Sequence, residues 1–498
     1  MSKKNFYITT AIDYPNGAPH MGHAYEKIVA DAYARWYRMA GYRTWFVTGT
    51  DENGQKLKKA AEEKGLAPKE FVDEHVKRFK KLCQDLEITN DDFIRTSEPR
   101  HIQTAQEFWK ILQAKDDIYS GEYEGLYCLA CEAFYTDLQA PDLRCPVHGT
   151  GLEAVKEKGF FFRLSKYADW IQSYIKENKS FILPISARKE ILQRIKSDKI
   201  RDLSVSRPNS GWGIPLPGQD DYVMYTWFDA LINYFSAVKN VKELSDLWPA
   251  QVHIIGKDIT WFHTIIWPCM LKAAGFAIPQ QVYVHGMVLG QDGKKMSKSL
   301  GNGVDPNEII SQFPVDSFRY YMLRATPSGL DGAFVTEDLI TRHNSELAND
   351  YGNLLMRVVK LGMKKLGNEF SPDETKARFD FVSLGEKMHE CMERREHHRA
   401  LEFLWTSINE VNLYLNNEAP WKKDIEPAAF KNIIYNALHA LHCFGSLVEA
   451  FMPQVGQKTL IPLGTKNIGM AGLKFGQHRF QLQTPEPLFP KIEKTERE

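Results

Sequence analysis

A strand-turn-helix pattern begins the chain and returns beyond its middle. FYITTAI (6–12) is a short β-prone run that leads through turn residues into a helical pattern, and TWFVTGTD (44–51) is a second β-prone run. VHIIG (252–256), a helical stretch and the strand-like QVYVHGMVL (281–289) repeat the arrangement. Alternating strands and helices predict a parallel sheet. We therefore expect an α/β, Rossmann-like domain built from two separated halves.

The segments between and after these halves have a different character. Residues 116–239 contain a cysteine cluster and irregular stretches rich in glycine and proline, which predict an inserted domain. From about residue 340 the apolar residues recur at helical spacing, which predicts an all-α bundle. The expected division is 1–115 (first half of the catalytic domain), 116–239 (inserted connective domain), 240–340 (second half) and 341–498 (helical domain).

Composition limits the partners and the location only weakly. The 498 residues include 63 basic and 63 acidic side chains, so a nucleic acid would have to bind a local basic surface. The sequence contains no run of eighteen apolar residues and begins without a signal-peptide core. We expect a cytoplasmic protein that does not bind a membrane.

His20-Met21-Gly22-His23 lies where a strand and turn give way to a helix. Backbone N–H groups and two imidazoles at a helix N-terminus predict an anion site. Gly22 would let a nucleotide approach closely, and His20 and His23 could stabilise charge that develops on an α-phosphate. The alternative is an incidental surface or metal-binding pair of histidines.

Lys295-Met296-Ser297-Lys298-Ser299 follows a polar, glycine-containing loop. Such a loop could bring Lys295 and Lys298 onto the β- and γ-phosphates, or it could be a solvated basic loop. Asp258 follows the VHIIG strand at its carboxyl end, where open α/β sheets bind ligands. A helix N-cap role for Asp258 is also compatible with its position.

The HMGH and KMSKS segments together resemble the class I aminoacyl-tRNA synthetases. ITTAIDYPNGAPHMGH, FVTGTDENGQK, YTWFDALINY, IIGKDITWFH and DGKKMSKSLGN are similar to methionyl-tRNA synthetases, and the likeness extends along essentially the whole chain. It implies a bacterial-type enzyme that uses ATP with Mg²⁺, L-methionine and tRNA(Met), including the initiator tRNA. The catalytic residues that it implies are His20, His23, Lys295 and Lys298. The implied ATP-binding residues are His20, Gly22, His23, Asp258, Lys295, Ser297 and Lys298.

The resemblance also implies a methionine pocket. Its side-chain contacts would be Ala11, Ile12, Tyr14, Trp227, Tyr234 and His263, with Asp51 facing the substrate ammonium. An aromatic lining suits a flexible, polarizable thioether, because the sulfur is only a weak hydrogen-bond acceptor. Trp227 and Tyr234 could equally be core aromatics on one helix face, and their spacing leaves both interpretations open.

Four residues have the spacing of a metal site. Cys128-x-x-Cys131 and Cys145-x-x-His148 provide two chelating pairs and a complete tetrahedral S₃N set. Closed four-coordination predicts one structural zinc ion, with unligated thiols or an empty, degraded site as the alternatives. The resemblance agrees, since methionyl-tRNA synthetases carry zinc knuckles in the inserted domain.

Asn349, Asn353 and Arg357 recur every four residues in the helical domain and are expected to share one helix face. Trp421 follows Pro420 near the start of a later segment. By resemblance these residues bind the anticodon, with Trp421 stacking on an unstacked base. Without the resemblance, helix-packing asparagines and a capping Pro-Trp would be the ordinary interpretation.

Other functions remain possible from the sequence alone. Synthetases for leucine, isoleucine or valine usually have a longer editing insertion, and a cysteine enzyme would place zinc at its amino acid. A small HxGH nucleotidyltransferase would lack the helical third of the chain. A catalytically silent tRNA-binding paralogue is disfavoured by the intact HMGH, Asp51 and KMSKS. The sequence ends soon after the helical domain, so we expect a monomer.

Overall fold

The computed structural model describes residues 4–493 apart from 129–132, 136–139, 141, 146–148, 297–301, 374 and 423. Its strands are β1 (Asn5–Thr10), β2 (Arg43–Thr50), β3 (Asp92–Arg95), β4 (Ile118–Cys128), β5 (Ala133–Tyr135), β6 (Glu153–Phe162), β7 (Ile182–Leu183), β8 (Leu203–Ser204), β9 (Ser206–Pro208), β10 (Pro215–Leu216), β11 (Gln219–Met224), β12 (Val252–Gly256), β13 (Val282–His285), β14 (Val288–Leu289), β15 (Gly332–Ala333), β16 (Glu369–Phe370) and β17 (Phe480–Gln481). Its α-helices are α1 (Met21–Met39), α2 (Gln55–Glu63), α3 (Pro68–Asp85), α4 (Pro99–Ala114), α5 (Ala168–Glu177), α6 (Ile185–Ser197), α7 (Thr226–Lys239), α8 (Trp267–Ala274), α9 (Pro306–Gln312), α10 (Val315–Arg324), α11 (Thr336–Arg342), α12 (Asn353–Leu366), α13 (Phe381–Glu393), α14 (His397–Glu418), α15 (Pro427–Val448) and α16 (Pro453–Leu460). Two π-helical segments, Phe262–Ile266 and His343–Gly352, lead into α8 and α12.

The central sheet is parallel and combines strands from both halves of the sequence. Its order is β3-β2-β1-β12-β13-β7, and Ile8 of β1 pairs with Val252 of β12. The chain leaves β1 towards β2 on one side and leaves β12 towards β13 on the other. In such sheets ligands bind outside the carboxyl ends of the strands at this switch in direction. The predicted two-part α/β domain is confirmed, and the crevice between β1 and β12 is the place for its site.

Helix α1 is buried along nearly its whole length, between the sheet and the later helices. Phe6 of β1 stacks on Tyr37, and Trp36 packs against Phe451 beyond α15. Asp31 of α1 forms a buried ion pair with Arg319 of α10 at 2.7 Å. A helix that is enclosed on all sides can hold charges only in pairs. The helix is therefore held from several directions.

The stretch QVYVHGMVL (281–289) does not form the single strand that its sequence predicts. It forms β13 in the parallel sheet and then β14, which pairs with β15. A Cβ at Gly286 would lie 1.8 Å from the carbonyl oxygen of Leu330, so the chain passes too close there for any other residue. This crossing redirects the chain towards the KMSKS loop.

The inserted region contains two antiparallel sheets, β5-β4-β6-β8 and β10-β11-β9, but it also contributes to the parallel domain. Strand β7 pairs with β13 at the sheet edge, and α7 packs against α4. Beyond residue 340 the described chain is dominated by helices, as the spacing of its apolar residues predicts. None of the helices in the described ranges combines the length and the apolar character needed to cross a bilayer.

Candidate functional site

The HMGH segment caps the N-terminus of α1. His20 is the N-cap residue, and its Nδ1 accepts a hydrogen bond from the backbone N–H of Gly22 at 3.1 Å. The Nδ1 of His23 accepts the backbone N–H of His20 at 3.1 Å, and the two rings stack with centroids 3.6 Å apart. Two of the N–H groups that the sequence offered to a phosphate are thus bonded to imidazoles. A Cβ at Gly22 would lie 3.0 Å from the His20 ring, so glycine makes room for this cap.

This geometry assigns the protons of both imidazoles. Since each Nδ1 is an acceptor, a neutral ring carries its proton on Nε2, which is then the only donor. Desolvation lowers the pKa of His20 to about 4, although the residue is partly exposed to solvent. Desolvation and the neighbouring His20 and Lys27 lower the pKa of His23 well below its ordinary value. Both rings are therefore neutral donors near neutral pH.

Asp258 and Lys295 lie within electrostatic reach of His20. After desolvation and Lys27, these two charges are the next influences on the pKa of His20. Asp258 lies in the short 3₁₀ turn Lys257–Ile259 after β12, and the N-cap of that turn is Gly256, so the capping interpretation of Asp258 is wrong. The structure thus places Asp258 and the first lysine of KMSKS within electrostatic range of His20, whereas Ser297 and Lys298 lie outside the described residues.

Tyr234 and His263 form a buried pair. The Tyr234 hydroxyl lies 2.7 Å from Nε2 of His263, and Nδ1 of His263 lies 2.9 Å from the carbonyl oxygen of Ile259. A carbonyl only accepts, so Nδ1 carries the proton and Tyr234 donates to Nε2. Desolvation lowers the pKa of His263 to about 4, opposed by its bond to Ile259 and by the charge of Asp258. His263 is neutral and its tautomer is fixed.

Aromatic rings surround this pair. Trp227 stacks on Phe262 with centroids 3.8 Å apart, and its ring is nearly perpendicular to that of His263 at 6.4 Å. Trp227 is half-buried, and Ala11 packs against the same apolar cluster as Trp227 and Tyr234. Three of the predicted pocket residues, Trp227, Tyr234 and His263, are therefore in contact through His263, and Ala11 packs against the same apolar cluster.

The other predicted pocket residues follow β1 and β2. The backbone N–H of Asp51 donates to the carbonyl of Asp13 at 2.8 Å. Burial raises the pKa of Tyr234, and the negative charges of Glu26 and Asp51 contribute in the same direction. Ile12 and Tyr14 pack against two other apolar clusters, so the structure does not group them with the aromatic rings.

A second site forms on the helical domain around Arg357 of α12. Its guanidinium donates to Oδ1 of Asn412 at 2.8 Å and to Oδ1 of Asn416 at 3.0 Å. The guanidinium carbon lies 5.8 Å from the centre of the Trp421 ring, and Trp421 is 46% exposed. An exposed indole beside a fixed cation can receive a further flat group by stacking.

The loop that carries Trp421 is anchored on both sides. Helix α14 ends at Ala419, whose φ of +45° turns the chain, and Lys365 donates to the carbonyl oxygens of Pro420 at 2.9 Å and Lys422 at 3.0 Å. The turn at Ala419 and the two bonds from Lys365 thus fix the backbone in a conformation that leaves the indole exposed.

Asn349 and Asn353 are exposed but lie in different kinds of helix. Asn353 begins α12, four residues before Arg357, and keeps the α-helical spacing to it. Asn349 lies in the π-helical segment His343–Gly352. A π turn holds more residues than an α turn, so the expectation that all three residues share one face is secure only for Asn353 and Arg357.

Two family models match the chain, "tRNA synthetases class I (M)" over residues 6–359 and "Anticodon binding domain of methionyl tRNA ligase" over residues 367–498. The methionine–tRNA ligase of Caldanaerobacter subterraneus subsp. tengcongensis is 41% identical over 99% of this chain and 79% of that protein. The Brucella suis methionine–tRNA ligase is 38% identical over 99% of this chain and 98% of that protein. The chain belongs to the class I methionyl-tRNA synthetases.

A solved structure agrees with this assignment of the synthetase. Mycobacterium tuberculosis methionyl-tRNA synthetase in complex with methionyl-adenylate matches with a TM-score of 0.92 and 34% identity, over 98% of this chain and 100% of that one. The predicted family and fold class, a Rossmann-like α/β domain followed by an all-α domain, are confirmed.

Half of the synthetase's predicted zinc set is described. Cys128 and Cys145 are buried and share a neighbour, since Cys128 Sγ lies 3.7 Å from the Thr150 hydroxyl and the Cys145 N–H donates to the Thr150 carbonyl at 2.8 Å. Cys131 and His148 lie outside the described residues. Within the described ranges, no group of three or more His, Cys, Asp or Glu side chains is placed to hold a metal. The two buried thiols fit one side of a zinc site.

Several side chains that shape the synthetase's sites were not predicted. Phe262 stacks on Trp227, and its π-helical turn hides it from a search for α-helical periodicity. Asn412 and Asn416 hold Arg357. Their four-residue spacing places both asparagines on one face of α14, which the sequence shows. Only the tertiary structure shows that this face meets Arg357.

Proposed function

We propose that this synthetase forms methionyl-adenylate and pyrophosphate from L-methionine and ATP, and then transfers methionine to the 3′ end of tRNA(Met), including the initiator tRNA. The position of Asp258 carries the proposal within the family. Its negative charge opposes the desolvation that lowers the pKa of His20 at the N-terminus of α1 and the pKa of His263 beside the aromatic rings. A carboxylate between an anion site and an apolar pocket suits an enzyme that joins an amino acid to a nucleotide.

Adenylate formation needs no nucleophilic side chain, because the methionine carboxylate attacks the α-phosphorus and pyrophosphate leaves. The Nε2–H donors of His20 and His23 would stabilise charge on the α-phosphate. Lys295 and Lys298 would neutralise the departing pyrophosphate, with Gly22, Asp258 and Ser297 completing the ATP site. Mg²⁺, bound through the triphosphate, would supply further neutralisation of that charge.

The pocket suits methionine for two reasons: its polar groups are already hydrogen-bonded within the protein, and its surface is otherwise apolar. The Tyr234 hydroxyl and both nitrogens of His263 are used within the protein, so they present no strong donor array to the substrate. Trp227 and Ala11 supply apolar surface for the thioether. Ile12 and Tyr14 would close the pocket on binding, and Asp51 would receive the ammonium group.

Recognition of tRNA would occur on the helical domain. Trp421 would stack on an unstacked anticodon base, since base–aromatic stacking is the usual way in which proteins hold such bases. Arg357 and Asn353 would contact base edges, and Asn349 would contribute from the π-helical segment. The bonds of Arg357 to Asn412 and Asn416 support this role, because they pre-orient the guanidinium.

We further propose the four-part division at residues 1–115, 116–239, 240–340 and 341–498, a monomeric cytoplasmic enzyme, and one structural zinc ion. Cys128, Cys131, Cys145 and His148 would hold the zinc and stabilise the inserted domain.

The deciding experiment is ATP–pyrophosphate exchange with individual amino acids. Methionine should support exchange, whereas leucine, isoleucine, valine and cysteine should not. Exchange with isoleucine or cysteine but not methionine would overturn the specificity. No exchange with any amino acid, together with tight tRNA binding, would indicate the catalytically silent paralogue.

The zinc proposal has its own test. Elemental analysis should find one zinc ion per chain, and Cys128→Ser should lower that content. The matched control is Cys391→Ser, which replaces another buried cysteine far from the predicted set in the sequence and should keep the zinc. A folded, metal-free wild-type protein would contradict the site.

A further inference from the structure

We propose that Lys27 is a positioning residue of the HMGH site, which neutralises Asp13 and so keeps His23 available as a donor to ATP. Lys27 follows His23 by four residues on α1, and its side chain is 0% exposed. The inference rests on the proposed function, because it assumes that His23 contacts the triphosphate. Neither Lys27 nor Asp13 was singled out in the sequence.

The charged pair is closed off from water. Nζ of Lys27 lies 2.6 Å from Oδ2 of Asp13, whose side chain is 3% exposed, so the two groups form a close ion pair. A buried lysine without an anion would be strongly destabilising. Other titratable groups that act on the pair are Glu26 of α1 and Cys83 of α3. Asp13 is therefore the counterion that makes Lys27 tolerable here.

Asp13 links the two halves of the site through its backbone. Its N–H donates to the carbonyl of Gly49 at 2.8 Å, and its carbonyl accepts the N–H of Asp51 at 2.8 Å. These bonds attach it to the end of β2, next to the proposed ammonium ligand. On the other side, Oδ1 of Asp13 lies 3.8 Å from Nε2 of His23. The carboxylate is thus fixed beside the donor atom of His23.

The distance of 3.8 Å is too long for a hydrogen bond but short for an electrostatic interaction. An uncompensated carboxylate at this place would attract the only N–H of the neutral His23 ring and repel an approaching triphosphate. The ammonium of Lys27 removes both effects. Lys27 therefore acts through Asp13 on His23 without touching the substrate.

Titration of Asp13 gives this arrangement a measurable signature. Burial raises the pKa of Asp13 to about 6, with Lys27 opposing the rise and Glu26 adding to it. Removing the lysine takes away the opposing influence, so the pKa of Asp13 must rise further. A pH profile can therefore report on Lys27 separately from any loss of stability.

The experiment measures kcat and KM for ATP in methionine-dependent pyrophosphate exchange, using the full chain across about pH 5.5 to 8.5. Lys27→Met should lower kcat/KM for ATP about tenfold at the alkaline end of this range, where Asp13 is ionised, less than the roughly 100- to 1000-fold expected for loss of a direct donor. The loss should shrink as the pH falls, because Asp13 is then protonated and no longer carries an uncompensated charge, and the KM for methionine should be unchanged. Lys27→Arg should retain most of the activity.

The double variant Asp13→Asn with Lys27→Met removes both charges and keeps the proposal testable if the single variant does not fold. It should recover kcat/KM for ATP to within about threefold of wild type at every pH, because neither charge remains. A loss in Lys27→Met that is the same at every pH would overturn the proposal, as would a double variant no better than Lys27→Met.

Two controls separate this inference from its premises. Asp31→Asn with Arg319→Met removes another buried ion pair of α1, at 2.7 Å, and should lower stability without a pH-dependent loss of kcat/KM for ATP. His23→Ala should abolish most exchange. Normal exchange by His23→Ala would remove the premise that His23 contacts the triphosphate, whereas no methionine exchange by the wild type would refute the proposed function itself, whatever the Lys27 variants do.

Discussion

At the N-terminus of α1, the proposed donors to ATP are fixed by bonds within the chain, whereas on the helical domain Trp421 is 46% exposed. His23 is held by a backbone N–H and lies beside the buried pair of Asp13 and Lys27. The loop that carries Trp421 is anchored by hydrogen bonds, but the indole ring is exposed to solvent. The first arrangement suits a reaction in which donors must already be oriented when charge develops. The second suits a partner that brings its own flat surface.

The largest expected effect tests the fixed side of this comparison. His23→Ala removes an oriented donor and should lower kcat for pyrophosphate exchange about 100- to 1000-fold. Binding of tRNA, measured by filter retention, should remain as in the wild type because the anticodon contacts are untouched. A loss of less than about tenfold would mean that HMGH does not stabilise the reacting phosphate.

The next largest effect tests the open side. Trp421→Ala should lower kcat/KM for tRNA charging about 10- to 100-fold, since stacking on one base contributes about 1–3 kcal/mol. Exchange should stay within about twofold of wild type. His23→Ala and Trp421→Ala serve as controls for one another, and equal losses of both activities in Trp421→Ala would refute the division of labour.

A smaller effect is expected within the methionine pocket. Tyr234→Phe removes the hydroxyl that donates to His263, and the bond to Ile259 prevents the ring from changing its tautomer. The variant should lose about 1 kcal/mol of stability and show a several-fold higher KM for methionine, with the KM for ATP unchanged. Calorimetry and exchange kinetics measure both quantities. An unchanged melting temperature and KM would show that the pair does not shape the pocket.

The last prediction is that the KM for methionine does not depend on pH in the range where a free histidine titrates. Because the pKa of His263 is lowered to about 4, the KM for methionine should be flat from about pH 8 to pH 5.5. For stability the sign is opposite to that of a salt-bridged histidine. The unfolded ring binds a proton near pH 6.5 and the folded one does not, so stability is lost as the pH falls from about 6.5 towards 4. An inflection of the methionine KM near pH 6.5 would mean that His263 is solvated.

Local patterns predicted the elements well where a single rule decided them. VHIIG forms β12 at the predicted residues, and the apolar spacing after residue 340 gives the helices of the C-terminal domain. The pattern of QVYVHGMVL predicts one strand, but the structure has two. The strand is interrupted where Leu330, more than forty residues away in the sequence, approaches Gly286. Asn349 fell into a π-helical segment for which α-helical spacing is no guide.

The sequence by itself determined the chemistry that this protein can offer. The family can be predicted from motifs in the sequence alone. These are HMGH, Asp258, KMSKS and the aromatic residues of the YTWFDALINY segment. Tertiary structure alone decided how those groups are charged and oriented. The neutral state of His23 follows from burial and from contacts with His20, and the contact between Asp13 and Lys27 joins a loop to a helix face. Such properties depend on distances between residues that are remote in the sequence and on the exclusion of water. No local pattern encodes either.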